Sequence, residues 1–279
     1  MNTLRVMVVG AAGRMGREVV RAVSAAPDMS LVAAVDRVRV GEDAVSLAGV
    51  EGSPVPIAGS LAKVVAKTTP EASVDLTHRI RPSDGAARPD VAVDFTLPAV
   101  VMANARTAIA ARVPYVIGTS GLQEADLEEL AALCDQHSTP ALVVPNFAIG
   151  AVLMMQFAAQ AARHFDSAEI IELHHADKVD APSGTARATA KVIAEGGICS
   201  ALPSGDQPAR GLIEHGIHVH SVRLPGLVAH QEVVFGGLGQ TLTIRHDSIS
   251  RASFMPGVLL ALRKVRDLKG LAVGLDKVM

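Results

Sequence analysis

The sequence predicts an α/β protein of two domains, one built on a parallel sheet and one of α+β type with a mostly antiparallel sheet. Three observations indicate this fold class. Short β-branched runs alternate with alanine-rich stretches in the first half, as they do in βαβ units. A glycine-rich turn follows the first of these runs. After Gly150 the alternation stops, and one long helical stretch precedes several strand-like runs.

The first half has the pattern of a parallel sheet that is covered on both faces. Its strand candidates are continuous apolar runs rather than alternating ones, as expected for strands buried on both sides. The predicted strands are Leu4–Val9, 31–35, 91–95, Tyr115–Ile117 and 141–144. The predicted helices are Arg14–Ala25, 99–111 and Glu124–His137.

The second half predicts a different arrangement. It comprises a helix from about Ala151, a strand over 169–175, a helix after Pro182, and strands at Ile217–Arg223, 232–235 and 240–245. The tail, 254–268, is helical and can pack back on the first domain. We expect residues 1–147 and 252–279 to form one domain and residues 148–251 the other. Two stretches, 66–89 and 196–216, predict surface loops.

The composition excludes several classes of function. The formal net charge is only −2, so no basic excess points to nucleic acid, and the absence of Trp argues against a base-stacking surface. The two cysteines, Cys134 and Cys199, lack CxxC spacing and fit a reducing compartment. The first residues lack the features of a signal peptide. We therefore expect a cytoplasmic protein.

One stretch, 138–162, has no charged residue and is long enough to cross a bilayer. Pro140, Pro145 and Asn146 interrupt it, however, together with Gly150 and two glutamines. The interruptions favour a buried strand, a turn and a buried helix over a membrane span. We expect no membrane partner.

The glycine-rich turn predicts a Rossmann-type dinucleotide site. It reads Gly10-Ala11-Ala12-Gly13-Arg14-Met15-Gly16. Glycines at such a turn let the backbone approach a pyrophosphate, which the helix N-terminus stabilises. The spacing is a variant of GxGxxG and is weak alone, but Asp36 follows Gly16 by 20 residues and can bind ribose hydroxyls. Arg37 can hold a 2′-phosphate, so we expect both NADH and NADPH to bind.

A second polar group predicts a site for an anionic substrate. A strand delivers His174 and His175, which point to opposite sides if the strand continues, and Lys178 follows in a turn. A capped helix then begins at Pro182-Ser183-Gly184-Thr185-Ala186. Free N–H groups of Ser183, Gly184 and Thr185, with the helix dipole and Lys178, would hold a carboxylate.

The same group can supply a proton. Reduction by hydride leaves electron density on the substrate, and a histidine with an ordinary pKa of about 6.5 suits proton delivery. A lysine can also donate a proton or stabilise negative charge. Paired histidines allow a metal site too, but no carboxylate or third histidine has ligand spacing nearby, so we expect no metal. No GxSxG motif indicates a serine nucleophile.

Over nearly its whole length the chain resembles the 4-hydroxy-tetrahydrodipicolinate reductase (dihydrodipicolinate reductase) family. The most specific part is the run Glu169-Ile-Ile-Glu-Leu-His-His-Ala-Asp-Lys-Val-Asp-Ala-Pro-Ser-Gly-Thr-Ala. The supporting motifs are Gly13-Arg14-Met15-Gly16, Asp94-Phe95-Thr96, Gly118-Thr119-Ser120-Gly121, Pro145-Asn146-Phe147, Ser221-Val222-Arg223 and the run from His230 to Gly236.

The resemblance implies a role for each group of residues. His174 and Lys178 would be the catalytic proton donors, and His175 would contact substrate. Ser183, Gly184 and Thr185 would hold a substrate carboxylate. The residues implied for cofactor phosphates and ribose are Gly10, Ala11, Ala12, Gly13, Arg14, Met15, Asp36 and Arg37. Those implied for the nicotinamide side are Phe95, Thr96, Gly118, Thr119, Ser120, Val144, Pro145, Asn146 and Phe147.

The resemblance also implies the reaction and the assembly. The substrate would be a cyclic imine with two carboxylates, reduced with NADH or NADPH in diaminopimelate and lysine biosynthesis by a homotetramer joined through the second domain. Compared with the family, we expect about twenty additional residues between Leu61 and Asp94, centred on 66–89, where a longer surface loop costs little free energy. Two alternatives stay open: a non-catalytic dinucleotide sensor and another two-domain amino-acid dehydrogenase.

Overall fold

The computed structural model describes residues 3–68, 87–198 and 208–279 of the chain. The chain divides into two compact units. The first comprises Met1–Phe147 and Met255–Met279, and the second comprises Ala148–Phe254. Each unit has its own sheet and its own cluster of buried apolar side chains.

In the first unit, the described residues form a parallel sheet of seven strands. These strands are β1 (Leu4–Val9), β2 (Met29–Val35), β3 (Ile57–Ala58), β4 (Val91–Asp94), β5 (Tyr115–Ile117), β6 (Ala141–Val143) and β12 (Leu271–Val273). Their order across the sheet is β3-β2-β1-β4-β5-β6-β12. The chain reverses its direction of strand addition between β1 and β4, and ligands bind at such a point in open α/β sheets.

Helices of the first unit pack against this sheet, whose strands β4, β5 and β6 are buried along their whole length. The helices are α1 (Arg14–Ala25), α2 (Ala44–Leu47), α3 (Leu61–Thr68), α4 (Pro98–Ala110), α5 (Glu124–His137) and α8 (Met255–Lys264). Every residue of β4, β5 and β6 is buried, as expected for parallel strands covered on both faces. Leu130 of α5 and Ile109 of α4 lie in the same buried cluster as Tyr115.

In the second unit, the described residues form a mixed sheet of five strands in the order β11-β10-β7-β9-β8. These strands are β7 (Ser167–His174), β8 (Leu212–Glu214), β9 (Ile217–Arg223), β10 (Ala229–Gly237) and β11 (Gln240–Ser248). Only the β7–β9 pair is parallel in this sheet of the described chain. The helices are α6 (Ile149–Ala161) and α7 (Gly184–Glu195). They share a buried cluster with Ile170 of β7 and Val219 of β9.

The predicted fold class is confirmed, with differences at the ends of elements and in the loops. The stretch 196–216 is not wholly a loop, because β8 lies within it and forms a hairpin with β9. His215 and Gly216 connect the two strands with φ of 51° and 83°, the left-handed values that a tight hairpin requires. Helix α3 enters the predicted loop 66–89, and residues 69–86 of that loop lie outside the described residues.

The charge-free stretch 138–162 contains strand β6 and helix α6, as its interruptions predict. None of the described helices is both long enough and apolar enough to span a bilayer.

Candidate active site

A cleft of about 570 Å³ opens in the first unit at the carboxyl ends of β1, β2 and β4. The predicted residues that line it are Gly10, Ala12, Gly13, Asp36, Arg37, Phe95 and Thr96. Residues that the sequence analysis missed also line it, among them Val38, Ser60, Leu61, Val100 and Asn104. The cleft lies at the switch point between β1 and β4, so its position fits a dinucleotide.

Two glycines of the turn are required by close contacts. A Cβ on Gly16 would lie 2.0 Å from the carbonyl oxygen of Gly10, and Gly10 itself has a φ of +82°. A Cβ on Gly10 would lie 3.0 Å from backbone atoms of Phe95. Gly13 has an ordinary φ of −70° and precedes helix α1 as its N-cap. The turn therefore brings bare backbone to the helix N-terminus, which is the cradle that a pyrophosphate needs.

Asp36 joins this turn to the end of β2. One of its carboxylate oxygens accepts from the Ala12 N–H at 2.9 Å, and the other accepts from the Val38 N–H at 3.1 Å. Each carboxylate oxygen can accept a second hydrogen bond, so Asp36 can still bind ribose hydroxyls. Arg37 is exposed and lines the cleft beside it.

The residues expected near the nicotinamide meet around Phe95. The Phe95 and Phe147 rings pack with centroids 5.4 Å apart, and a Cβ on Gly118 would lie 2.4 Å from the Phe95 ring. The Thr119 hydroxyl donates to the Thr96 carbonyl at 2.9 Å. Of the other predicted residues, Ala11 and Val144 are buried, Met15 and Asn146 are half-buried, and Arg14, Ser120 and Pro145 are exposed.

The buried carboxylate of Asp94 shapes the loop that follows β4. One oxygen accepts from the N–H and hydroxyl of Thr96 at 2.7 and 2.5 Å. The other accepts from Asn104 at 2.9 Å and from the Tyr115 hydroxyl at 2.6 Å. Burial and the neighbouring Asp94 charge raise the pKa of Tyr115 well above its ordinary value, so it stays a donor. Asp94 thereby holds the cleft wall at Thr96.

In the second unit, strand β7 ends at His174, and the side chain of Glu172 lies on the same face of the strand. The His174 Nδ1 atom is 2.5 Å from a Glu172 carboxylate oxygen. The His174 side chain is 13% exposed, whereas that of Glu172 is 0% exposed. A histidine at the surface of the unit is therefore anchored by a carboxylate beneath it.

Glu172 also receives hydrogen bonds from two other elements. The Arg223 guanidinium of β9 donates to both carboxylate oxygens, at 2.9 and 2.7 Å. The Ser183 N–H donates to one of them at 3.2 Å. Burial alone would raise the pKa of Glu172, but hydrogen bonds from His174, Arg223 and Ser221 outweigh it and lower the pKa to about 2. Glu172 is therefore ionised and acts only as an acceptor.

The start of helix α7 differs from the expectation in one respect. Ser183 is the N-cap, and its hydroxyl accepts from the Ala186 N–H at 3.1 Å. The expectation of a free Ser183 N–H is wrong, because that group donates to Glu172 and the residue is 3% exposed. Gly184 is exposed at the first helical position, where the dipole favours an anion. Among described residues, nothing lies within 4 Å of the position of a Gly184 Cβ.

The remaining predicted residues flank this helix start. The Lys178 amine pairs with the Asp180 carboxylate at 2.6 Å, and this hydrogen bond lowers the pKa of Asp180. Arg223 donates to the Asp180 carbonyl at 2.8 Å, which ties the Lys178 turn to the strand. His175 follows the end of β7 and is exposed. Across the described ranges, no group of three His, Cys, Asp or Glu side chains is arranged to hold a metal.

Sequence reasoning missed Glu172, Arg223 and Asp180 as parts of this site. Glu172 carries a usable signal, because a residue two positions before His174 shares its face on a strand. Arg223 belongs to the motif Ser221-Val222-Arg223, but its contact with Glu172 depends on β9 pairing with β7 from 51 residues away.

The low pKa of Glu172 predicts how stability depends on pH. The pKa falls from an ordinary 4.5 to about 2, so ionised Glu172 contributes about 3 kcal/mol to folding above pH 4.5. That contribution is lost as the pH falls through about 2, because the unfolded state takes up the proton first. We expect the difference in unfolding free energy between the wild type and Glu172→Gln to shrink from pH 5 to pH 2. Urea titrations at each pH measure it, and a pH-independent difference would contradict the prediction.

The sequence matches two models of one family. The model for the N-terminus of dihydrodipicolinate reductase matches residues 4–147, and the model for its C-terminus matches residues 150–279. The 4-hydroxy-tetrahydrodipicolinate reductase of Moorella thermoacetica is 49% identical over 281 residues, which cover 99% of this chain and 98% of that protein. The protein of the same name from Gloeobacter violaceus is 49% identical over 280 residues, covering 98% of each chain.

Solved structures agree with these matches. The dipicolinate-bound dihydrodipicolinate reductase from Paenisporosarcina sp. TG-14 superposes with a TM-score of 0.81 at 38% identity, covering 99% of this chain and 100% of that chain. An amine dehydrogenase from Mycobacterium smegmatis has a TM-score of 0.65 at 13% identity, covering 99% of this chain and 96% of that chain, and shares the fold alone. The chain belongs to the dihydrodipicolinate reductase family.

Proposed function

We propose that this chain reduces 4-hydroxy-tetrahydrodipicolinate to tetrahydrodipicolinate with NADH or NADPH, in diaminopimelate and lysine biosynthesis. One observation carries the proposal: His174, anchored by an ionised carboxylate, belongs to the same hydrogen-bonded group as the start of helix α7. A proton-transferring histidine and an anion seat are what reduction of a cyclic dicarboxylate requires. The full-length relatives carry the name of this activity.

The cleft of the first unit is the proposed dinucleotide site. Gly10 to Met15 would hold the pyrophosphate, Asp36 and Arg37 the adenosine ribose, and the loops after β4, β5 and β6 the nicotinamide. The close contacts at Gly16 and Gly10 support this assignment, because they hold the turn in the form that leaves room for a phosphate. The bound cofactor supplies the hydride.

The second unit would bind and protonate the substrate. Gly184 and Thr185 lie in the first turn of α7, where the helix dipole favours an anion, and the Ser183 hydroxyl can donate while it accepts from Ala186. Lys178 adds positive charge, and a substrate carboxylate would compete with Asp180 for it. His175, which is exposed, would contact the substrate directly.

His174 is the proposed proton carrier, and its Nε2 atom is the exchange point. The ionised Glu172 accepts only, so the 2.5 Å contact requires a proton on Nδ1. Nε2 of the imidazolium can then donate a proton and become the unprotonated nitrogen of the neutral ring. Lys178 is the second proposed donor.

The two alternatives are less well supported. A sensor without catalysis would have no use for a histidine held by a buried carboxylate. An amino-acid or amine dehydrogenase of this architecture shares the fold at 13% identity, far below the 49% of the named reductases.

The proposed domains are residues 1–147 and 252–279 for the dinucleotide, and 148–251 for substrate and assembly. Helices α6 and α7 share a buried cluster with one face of the second sheet, whereas Glu169, His220 and Arg245 lie on the opposite face. The proposed assembly is a cytoplasmic homotetramer joined through the second unit. Sedimentation velocity should give four times the 28.9 kDa chain mass, and a monomer would contradict the assembly.

Loss of the proposed proton donors should lower turnover. We expect His174→Gln to reduce kcat about 10²-fold or more, because general acid–base catalysis contributes that much. Lys178→Ala should lower kcat and raise KM, since Lys178 would both bind the substrate and stabilise the negative charge that develops on it in the transition state. Steady-state assays of NADPH oxidation measure both variants, with His164→Gln, an exposed histidine, as the control. Near-wild-type rates in both variants would refute the assignment.

Arg37 should distinguish the two cofactors. It is exposed at the cleft, and a guanidinium there pairs with a 2′-phosphate but has no partner on NADH. We expect Arg37→Ala to raise Kd for NADPH about tenfold, the equivalent of 1.4 kcal/mol, and to leave Kd for NADH nearly unchanged. Fluorescence titration measures both constants. Arg39→Ala is the matched control, because Arg39 is exposed and pairs with Glu42. Equal losses for both cofactors would contradict the role.

A further inference from the structure

We propose that Glu172 is a positioning residue that holds His174 in one tautomer and one orientation for proton transfer. The inference rests on the proposed function, because it assigns Glu172 a role through His174 rather than through the substrate. Nothing in the sequence pattern or in the family match assigns this role.

The geometry of the Glu172–His174 pair determines which ring nitrogen faces the carboxylate. Glu172 and His174 lie two residues apart on β7, so their side chains share a face. The carboxylate is fully buried, and its oxygen is 2.5 Å from Nδ1. A buried, ionised acceptor at this distance fixes the proton on Nδ1 and leaves Nε2 as the exchanging atom.

Hydrogen bonds from Arg223 and the Ser183 N–H hold the Glu172 carboxylate in place. Oε1 accepts from Arg223 and the Ser183 N–H, and Oε2 accepts from Arg223 and His174. Arg223 donates in the paired geometry that suits a planar guanidinium and a carboxylate. The donors come from β7, β9 and the start of α7, so the fold around the site determines the direction of the imidazole.

Two other histidine–carboxylate pairs lie in the same sheet and differ from the His174 pair in exposure. His220 pairs with Glu169 at 2.8 Å, and His230 pairs with Asp247 at 2.6 Å. Their carboxylate side chains are 39% and 40% exposed, so water competes for both. Glu172 is 0% exposed and carries the Arg223 pair as well. The carboxylate of the His174 pair is therefore shielded from water, whereas the carboxylates of the other two pairs are partly exposed.

A double-mutant cycle tests the role. Glu172→Gln keeps the shape of the side chain but removes its charge, and it places an NH₂ group against a hydrogen-bond donor such as Arg223 or His174. We expect it to lower kcat about 10- to 100-fold, as loss of an orienting partner does, with KM within about twofold of the wild type. Added to His174→Gln, the same change should alter kcat less than about twofold, because its effect passes through the histidine. Glu195→Gln, on the exposed end of α7, is the control.

The outcomes separate this inference from the proposed function. A similar loss of kcat in both backgrounds, or a loss confined to KM, would overturn the positioning role, because Glu172 would then act through the fold or through Ser183. Full activity of His174→Gln would instead overturn the catalytic assignment itself.

A second measurement does not depend on the folding of the Glu172 variant. Histidine-specific ¹⁵N spectra of the wild type, assigned by comparison with His174→Gln, report which nitrogen of the neutral His174 ring carries the proton. We expect Nδ1. A neutral ring protonated at Nε2 would overturn the proposal.

Discussion

The arrangement of polar groups in the second unit depends on one fully buried, ionised carboxylate, that of Glu172. Moving such a charge out of water costs several kcal/mol unless charged and hydrogen-bonding groups surround it. Glu172 meets this requirement through Arg223, the Ser183 N–H and His174. Because these donors come from different elements, satisfying the carboxylate also orients the histidine and seats the beginning of α7. Stability and the arrangement of the site thus rest on the same contacts.

The first unit uses the same device at the end of another strand. Asp94 is fully buried, and each of its oxygens accepts two hydrogen bonds. Here the donors are neutral, and their hydrogen bonds fix the loop at Thr96 rather than orient a histidine. In both units a buried carboxylate near the end of a strand fixes the conformation of the residues around it. A partly satisfied network would cost more than an apolar core, which makes such sites sensitive to every partner.

Local patterns predicted much of the fold and part of the site. Continuous apolar strands alternating with helices predicted the parallel sheet, and Gly10, Gly16 and Asp36 predicted a dinucleotide-binding turn, of which Gly10 and Asp36 line the cleft. Strand β8 was missed because its hairpin uses His215-Gly216 rather than the more recognisable Asn-Gly pair. The free N–H expected on Ser183 was wrong, because its acceptor lies 11 residues earlier in the chain.

The sequence by itself determined the fold class, the glycine turn, the family and the residue types available for binding an anion and moving a proton. These properties follow from short-range spacing, because the period of a strand or helix and the conformational freedom of glycine act within a few residues. Only the tertiary structure decided which donor serves which acceptor. Arg223 reaches Glu172 from 51 residues away and Tyr115 reaches Asp94 from 21 residues away, and pairing of distant strands, which no local pattern encodes, brings them together.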